Sequence, residues 1–398
     1  MRALRLLGAV SVFGTLVTFT AAGQPHLTTL YNITGDNPVG LTAARGKLYL
    51  AADDYGSGPG EVLELSPPAV PGGPWAAVVL YSFGAPGDGS EPAPAPLVNA
   101  GRALYGTTSA GGLYHFGVFY DLLPPSVPGG DWTEDVLYTF DTPGTNIGYP
   151  VSNIVPGPEG SFYVLTESST NLCQLQPPTS PGGAWTATIL YGSPKGSAGV
   201  ALNSLAAGPN DVLYGTGGGG PGGRGVVFRL TPPSAPGDAW TEAVVHTFGI
   251  RNGPVDNPIA LTVAGDGTIY GTAYGDTFPY GSGNSAIFQL TPPAEPGGPW
   301  TYANLTTPTS TEHFNTPVVM GNGNLYGGIT TGTGGSIYEL QPPSAPGDKW
   351  TMTTLYTFTN GQVPSGNLVV GPHGTLYGTT AAAPGQPSGG TVFALTTN

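Results

Sequence analysis

Six tryptophans, Trp75, Trp132, Trp185, Trp240, Trp300 and Trp350, recur every 50 to 60 residues, and each closes a Pro-Gly-x-x-Trp segment. A second marker recurs around Tyr49, Tyr105, Tyr163, Tyr214, Tyr270, Tyr326 and Tyr377, with LYGTT as its fullest form. A third is an apolar run ending in two prolines, such as VVFRLTPP, and its last copy, TVFALTTN, lacks the prolines. Markers that recur together at matched offsets mean a chain built from one repeated supersecondary unit.

One unit reads as four strands. Strand a is a short run after a proline, such as Asn367 to Val370, and a tight turn such as Gly265-Asp266-Gly267 leads on. Such a turn suits a hairpin, because its residues tolerate positive φ. Strand b carries LYGTT, and a variable glycine-rich loop follows it. Strand c ends at the Pro-Pro pair, because proline cannot donate a ladder hydrogen bond. The PGxxW connection then opens strand d, as in Trp132 to Phe140. Antiparallel four-stranded units with no helical period between them predict an all-β fold, a seven-bladed β-propeller. The blades fall near 38–83, 94–140, 150–193, 200–248, 258–308, 317–358 and 364–398. The last unit lacks strand d, and the segment 26–33 (HLTTLYNI) reads as a strand d with nothing before it. The N-terminal strand is therefore expected to complete the seventh blade and leave no open ring edge.

The 66 glycines and 43 prolines, more than a quarter of the chain, would suggest disorder without a period. With 39% hydrophobic residues there is enough apolar surface for a core, so they read as turns. Residues 1–23 combine Arg2 and Arg5 with an apolar run from Leu6 to Phe19 and small residues after it. This is the pattern of a secretory signal peptide, too short for a membrane span. The reading is thus a secreted, extracellular monomer with residues 24–398 as one propeller and no span after cleavage. The formal net charge of −14 disfavours nucleic acid and anionic membranes as partners. Cys173 is the only cysteine, so no internal disulfide forms, and its apolar run LCQL reads as a buried position.

The best-matching segments, 102–140, 211–248 and 372–397, resemble the GloVer-type tandem repeat proteins, an extracellular family of mainly bacterial origin. Their unit is similar to the pattern LYGTT, then GG, then VF-x-L, then W followed by LYxF. The resemblance covers nearly the whole chain after residue 23 and implies repeat identity and location, but no activity.

Positions that repeat in every unit read as packing. Function is expected where units differ, on the face shared by the b–c and d–a loops, because loops on a rigid scaffold carry binding. The candidate ligand residues there are Asp53, Asp54, Tyr55, Tyr114, His115, Tyr274, Asp276 and Tyr280. The d–a loops add Asp88, Glu91, Arg251, Asp256 and His313. No nucleophile elbow, zinc-protease motif or phosphate loop is present, the five histidines lack ligand spacing, and no cofactor or metal is expected. The expectation is a non-enzymatic protein that binds an extracellular glycan or protein. Two alternatives stand beside it: a structural matrix repeat, and a secreted polysaccharide hydrolase or lyase using loop carboxylates. Convergence of two or more acids at the central channel mouth on the variable face separates the last from the others.

Overall fold

The computed structural model describes residues 25–397 except 35–36, 54–57, 71, 94–96, 128, 141–146, 151, 167–170, 193–201, 219–223, 236–238, 250–256, 275–284, 296, 308–311, 315–318, 332–333, 346–347, 360 and 382–388. Residues 1–23, read as a signal peptide, lie outside that set. The described strands form seven antiparallel sheets in the predicted order a-b-c-d. The first blade is Asn37–Ala44, Lys47–Asp53, Glu61–Ser66 and Ala76–Ser82. The seventh is Val363–Val370, Leu376–Ala381, Gly389–Thr396 and then His26–Thr34, which pairs antiparallel from His26↔Thr396 to Thr34↔Gly389. Closure by the N-terminal strand is as expected.

Seven hydrophobic clusters of buried residues lie one in each seam between consecutive blades. Leu41, Leu50 and Leu65 of the first blade meet Ile33 and Val392 of the seventh. At the opposite side Leu230 of the fourth blade packs with Leu172 of the third. Each blade is thus a two-faced sheet that buries both faces only because the ring closes. Between the innermost strands, asparagine amides reach across: Asn153 Nδ2 donates to Leu205 O (3.2 Å) and Asn203 Nδ2 to Pro258 O (3.1 Å).

The LYGTT glycine has a steric cause. Gly215 lies opposite Phe228, Gly271 opposite Phe288 and Gly378 opposite Phe393. A Cβ at any of these glycines would overlap the facing ring. Gly106 and Gly327 make the same space for Tyr120 and Tyr338. The two blades without this glycine also lack the facing ring: Leu50 faces Leu63, and Val164 faces Cys173. Cys173 is therefore a core residue filling an aromatic's place. Burial pushes its thiol up to about 12.

The tryptophans are half-buried, not fully buried. Five pack edge-on against the strand b tyrosine of the preceding blade: Trp75–Tyr377, Trp132–Tyr49, Trp240–Tyr163, Trp300–Tyr214 and Trp350–Tyr270, with ring centroids 5.7 to 6.4 Å apart. They are clasps between blades. The second blade differs from expectation in one respect: its strand a is two pieces, Gly89–Pro92 and Val98–Ala100, both pairing with Ala103–Gly111. Pro92, which has no ladder donor, ends the first piece.

Candidate functional site

Among the described residues, a dense polar set lies over the second blade. Asp88 and Glu91 arrive on the turn from the first blade, and Asp88 is 7% exposed. Its Oδ2 accepts hydrogen bonds from Tyr81 Oη (2.9 Å), Gly84 N–H (3.0 Å) and Ala85 N–H (3.4 Å), and its Oδ1 from Gly89 N–H (2.6 Å). Four donors fix this carboxylate in place. Glu134, two residues past Trp132 on the outer strand, comes within hydrogen-bonding reach of Asp88. Burial first, and then the negative charge of Asp88, push the Glu134 carboxyl up to about 8. Asp121, facing Asp135 across the ladder, is pushed up to about 6 by burial and then by that neighbour. Glu134 is thus pushed toward its neutral form beside the Asp88 carboxylate, as expected for two acids held close together, and its Oε1 is buried without a hydrogen-bond partner.

Above this pair the backbone is strained. Glu91, His115 and Tyr149 hold φ of 55°, 65° and 52°, the left-handed region that side chains rarely occupy. Glu91 and Tyr149 each precede a proline, as Asn257 precedes Pro258 with φ 48°, so this conformation recurs with the repeat. Hydrogen bonds tie the corner together: Gly112 N–H donates to Asp88 O (2.5 Å), His115 N–H to Gly112 O (3.3 Å), and Tyr149 N–H to Phe116 O (3.1 Å). Ser109 Oγ lies 3.4 Å from Glu91 Oε2 and 3.2 Å from Glu91 O. The rings of Phe116 and Tyr149 meet edge-on at 4.7 Å.

The predicted ligand residues distribute unevenly. Tyr114 and His115 lie at this corner, half-buried and exposed respectively. Tyr274 ends strand b of the fifth blade, not a loop, with its ring 5.1 Å from His313. Asp53 is buried at a strand end, where a solvated loop acid was expected. Asp54, Tyr55, Asp276 and Tyr280, like Arg251 and Asp256 of the d–a loops, lie outside the described residues. Among the described residues no cluster of three or more His, Cys, Asp or Glu is placed to hold a metal. Sequence reading missed Glu134. Its signal was an acid at the second position after a repeated Trp, where the first and third blades carry Ala77 and Ala187.

Fold and site together define a seven-bladed propeller with an acidic corner on its variable face. No family model matches the chain, and no curated protein matches it. Solved structures do. The extracellular domain of a putative hybrid two-component system from B. thetaiotaomicron is 12% identical, with a TM-score of 0.59 over 94% of this chain and 43% of that one. This chain therefore spans less than half of that structure. A putative oxidoreductase (glucose dehydrogenase) from Thermus thermophilus is 15% identical over 94% and 100%, with a TM-score of 0.46. A PQQ-bound aldose sugar dehydrogenase from Streptomyces coelicolor is 13% identical over 94% and 100%, with a TM-score of 0.45. At these identities the likeness is one of fold.

The expectation of a non-enzymatic binding protein is corrected. Propellers described as dehydrogenases are among the matched structures, and that likeness is one of fold alone. Asp88 and Glu134 meet at the seam between the first and second blades, with Glu134 on the outermost strand and not at the mouth of the central channel, where converging acids were expected to mark a hydrolytic site. Among the described residues, no helix is long and apolar enough to cross a membrane.

Proposed function

We propose that the protein is a secreted enzyme of polysaccharide breakdown, a hydrolase or lyase, working at the corner of the variable face over the second blade. The observation that carries this reading is the meeting of Asp88 and Glu134 beside the segment that carries Glu91. Cleaving a glycosidic bond takes one group that protonates the leaving oxygen and a second that assists on the other side of the ring, or that removes a ring proton in an elimination. Glu91 and His115 are the more accessible titratable groups of the corner and take these roles. Asp88, held by four donors, and Glu134, holding its proton, fix the turn that presents Glu91. The rings of Tyr114, Phe116 and Tyr149 offer apolar faces to sugar rings. Secretion rests on the leader pattern of residues 1–23.

The test is a panel of neutral and uronic polysaccharides assayed for new reducing ends and for unsaturated products. Glu91→Gln and His115→Ala are each expected to lower kcat by about 100-fold or more, at unchanged melting temperature. A panel on which nothing is cleaved, or variants with full turnover, overturns the reading.

A further inference from the structure

The repeat has one defect, and a cleft lies at it. The outer strand of each blade carries an aromatic ring at one fixed position: Tyr31, Tyr81, Tyr138, Tyr191, His246 and Tyr356. Only the fifth blade departs, with Thr306 in that place. In other seams the ring covers the residue two past the tryptophan of the next blade. His246 stacks on Tyr302 with centroids 4.4 Å apart and planes 5° from parallel. Tyr191 Oη donates to Glu242 at 2.6 Å. That covered position is half-buried in six blades, at Leu27, Ala77, Glu134, Ala187, Glu242 and Tyr302. In the sixth it is Met352, which is 38% exposed. The exposed methionine is what the missing ring leaves behind.

A cleft of about 870 Å³ opens there, between the outer strand of the fifth blade and the c–d connection of the sixth. Its size is that of a ligand site and exceeds what one side chain would fill. Met352, Trp350 and the buried Phe314 supply its apolar walls, and Glu312, Asp348 and Lys349 supply charged edges. Trp350 is held edge-on by Tyr270 at 5.9 Å, so its indole is oriented before any ligand arrives.

We infer that this cleft binds a neutral oligosaccharide, with one sugar ring seated where the other seams hold a tyrosine. The choice of a sugar follows from the side chains that line the cleft. Leu305 N–H donates to Ile287 O at 2.8 Å, and Thr306 Oγ accepts from Ile287 N–H at 3.0 Å. Thr306 thus ties the end of the outer strand to its neighbour while vacating the ring's space. A pyranose has an apolar face for Trp350 and Met352 and hydroxyls for Glu312 and Asp348. The charges of both signs and the acidic chain disfavour a polyanionic sugar.

The site lies on the rim, away from the proposed corner over the second blade, and its occupancy is measured as binding, not turnover. The probes are cellohexaose, xylohexaose and mannohexaose, titrated by calorimetry and by tryptophan fluorescence into the full chain. At least one is expected to bind, and Glu91→Gln leaves that affinity unchanged whether or not the corner is catalytic. Thr306→Tyr restores the repeat, takes the place proposed for the sugar ring and is expected to weaken binding at least tenfold while keeping the melting temperature. Should that variant fold poorly, the surface pair Glu312→Gln and Asp348→Asn carries the same expectation of at least a tenfold loss. The inference is overturned if no hexasaccharide binds, if a folded Thr306→Tyr keeps its affinity, or if the surface pair keeps it.

Discussion

The side-chain amide of Asn367 bonds both backbone groups of Leu41: Leu41 N–H donates to Asn367 Oδ1 at 3.0 Å, and Asn367 Nδ2 donates to Leu41 O at 2.9 Å. The two residues are 326 positions apart in the chain. They join the innermost strands of the seventh and first blades, so the ring is held at its inner wall as well as by the N-terminal strand at its rim. Leu41 is fully buried, and water cannot replace these bonds.

Asn367→Ala is expected to destabilise the fold by about 1–3 kcal/mol for each Leu41 group left unpaired. Asn153→Ala, which loses a single bond in an ordinary seam, should have a smaller effect. Urea denaturation of the two variants side by side checks this, and equal midpoints would count against a special role for the closing seam.

The glycine–ring pairing predicts strong coupling. Gly215→Ala places a Cβ into the Phe228 ring and should cost about 1–3 kcal/mol. Phe228→Leu alone leaves a cavity and is destabilising in its own right. Together the two changes approach the Leu50–Leu63 solution of the first blade. The double variant should therefore be more stable than the sum of the singles by about 0.5–3 kcal/mol, and a double-mutant cycle measures the difference.

Tyr338 is fully buried, and its hydroxyl has no hydrogen-bond partner. At the matching position the fourth, fifth and seventh blades use Phe228, Phe288 and Phe393. Tyr338→Phe should raise stability, by about 1–3 kcal/mol if the hydroxyl is dry. A fall in the melting temperature would indicate that the hydroxyl is bonded after all.

The carboxyl pair sets a pH dependence. An unfolded chain releases the Glu134 proton near 4.5, whereas the folded chain holds it to about 8. Between those values the folded state binds more protons, so stability falls as pH rises and levels off above about 8. Asp121 adds the same sign between 3.8 and about 6. Tyr81, Tyr120, Asp121 and Asp135 are the titratable neighbours of the pair. Glu134→Gln should flatten the upper part of the curve, which thermal melts across that interval would reveal.

Blade number, strand order and closure were legible because they are written in repeated markers: Trp after Pro-Gly, LYG, and the double proline. The unpaired HLTTLYNI segment could only complete a blade lacking its last strand. What differs between blades was harder to read. Asp88 and Glu134 lie 46 residues apart and meet only across a seam, so their proximity leaves no local pattern. Asp53 looked like a loop acid because the glycine-rich text after it hides where strand b ends. Thr306 was visible as LTTP in place of LYTF. A missing ring, though, acquires meaning only once the neighbouring blade shows an uncovered Met352.

Closure through His26–Thr34 also sets the order in which this molecule can be made. His26 and Thr396, whose hydrogen bond spans 370 residues, are among the first and last parts of the propeller to be synthesised. The rim strand must wait for its partner, and until then strand c of the seventh blade keeps an unpaired edge while both flanking seams lack one wall. Contacts this distant in sequence form slowly, because the loop entropy is lost before the contact is gained. The protein is thus expected to pass through a long-lived open crescent. In that state its apolar seams are the hazard, and holding them apart from other chains is the task left to its export and folding environment.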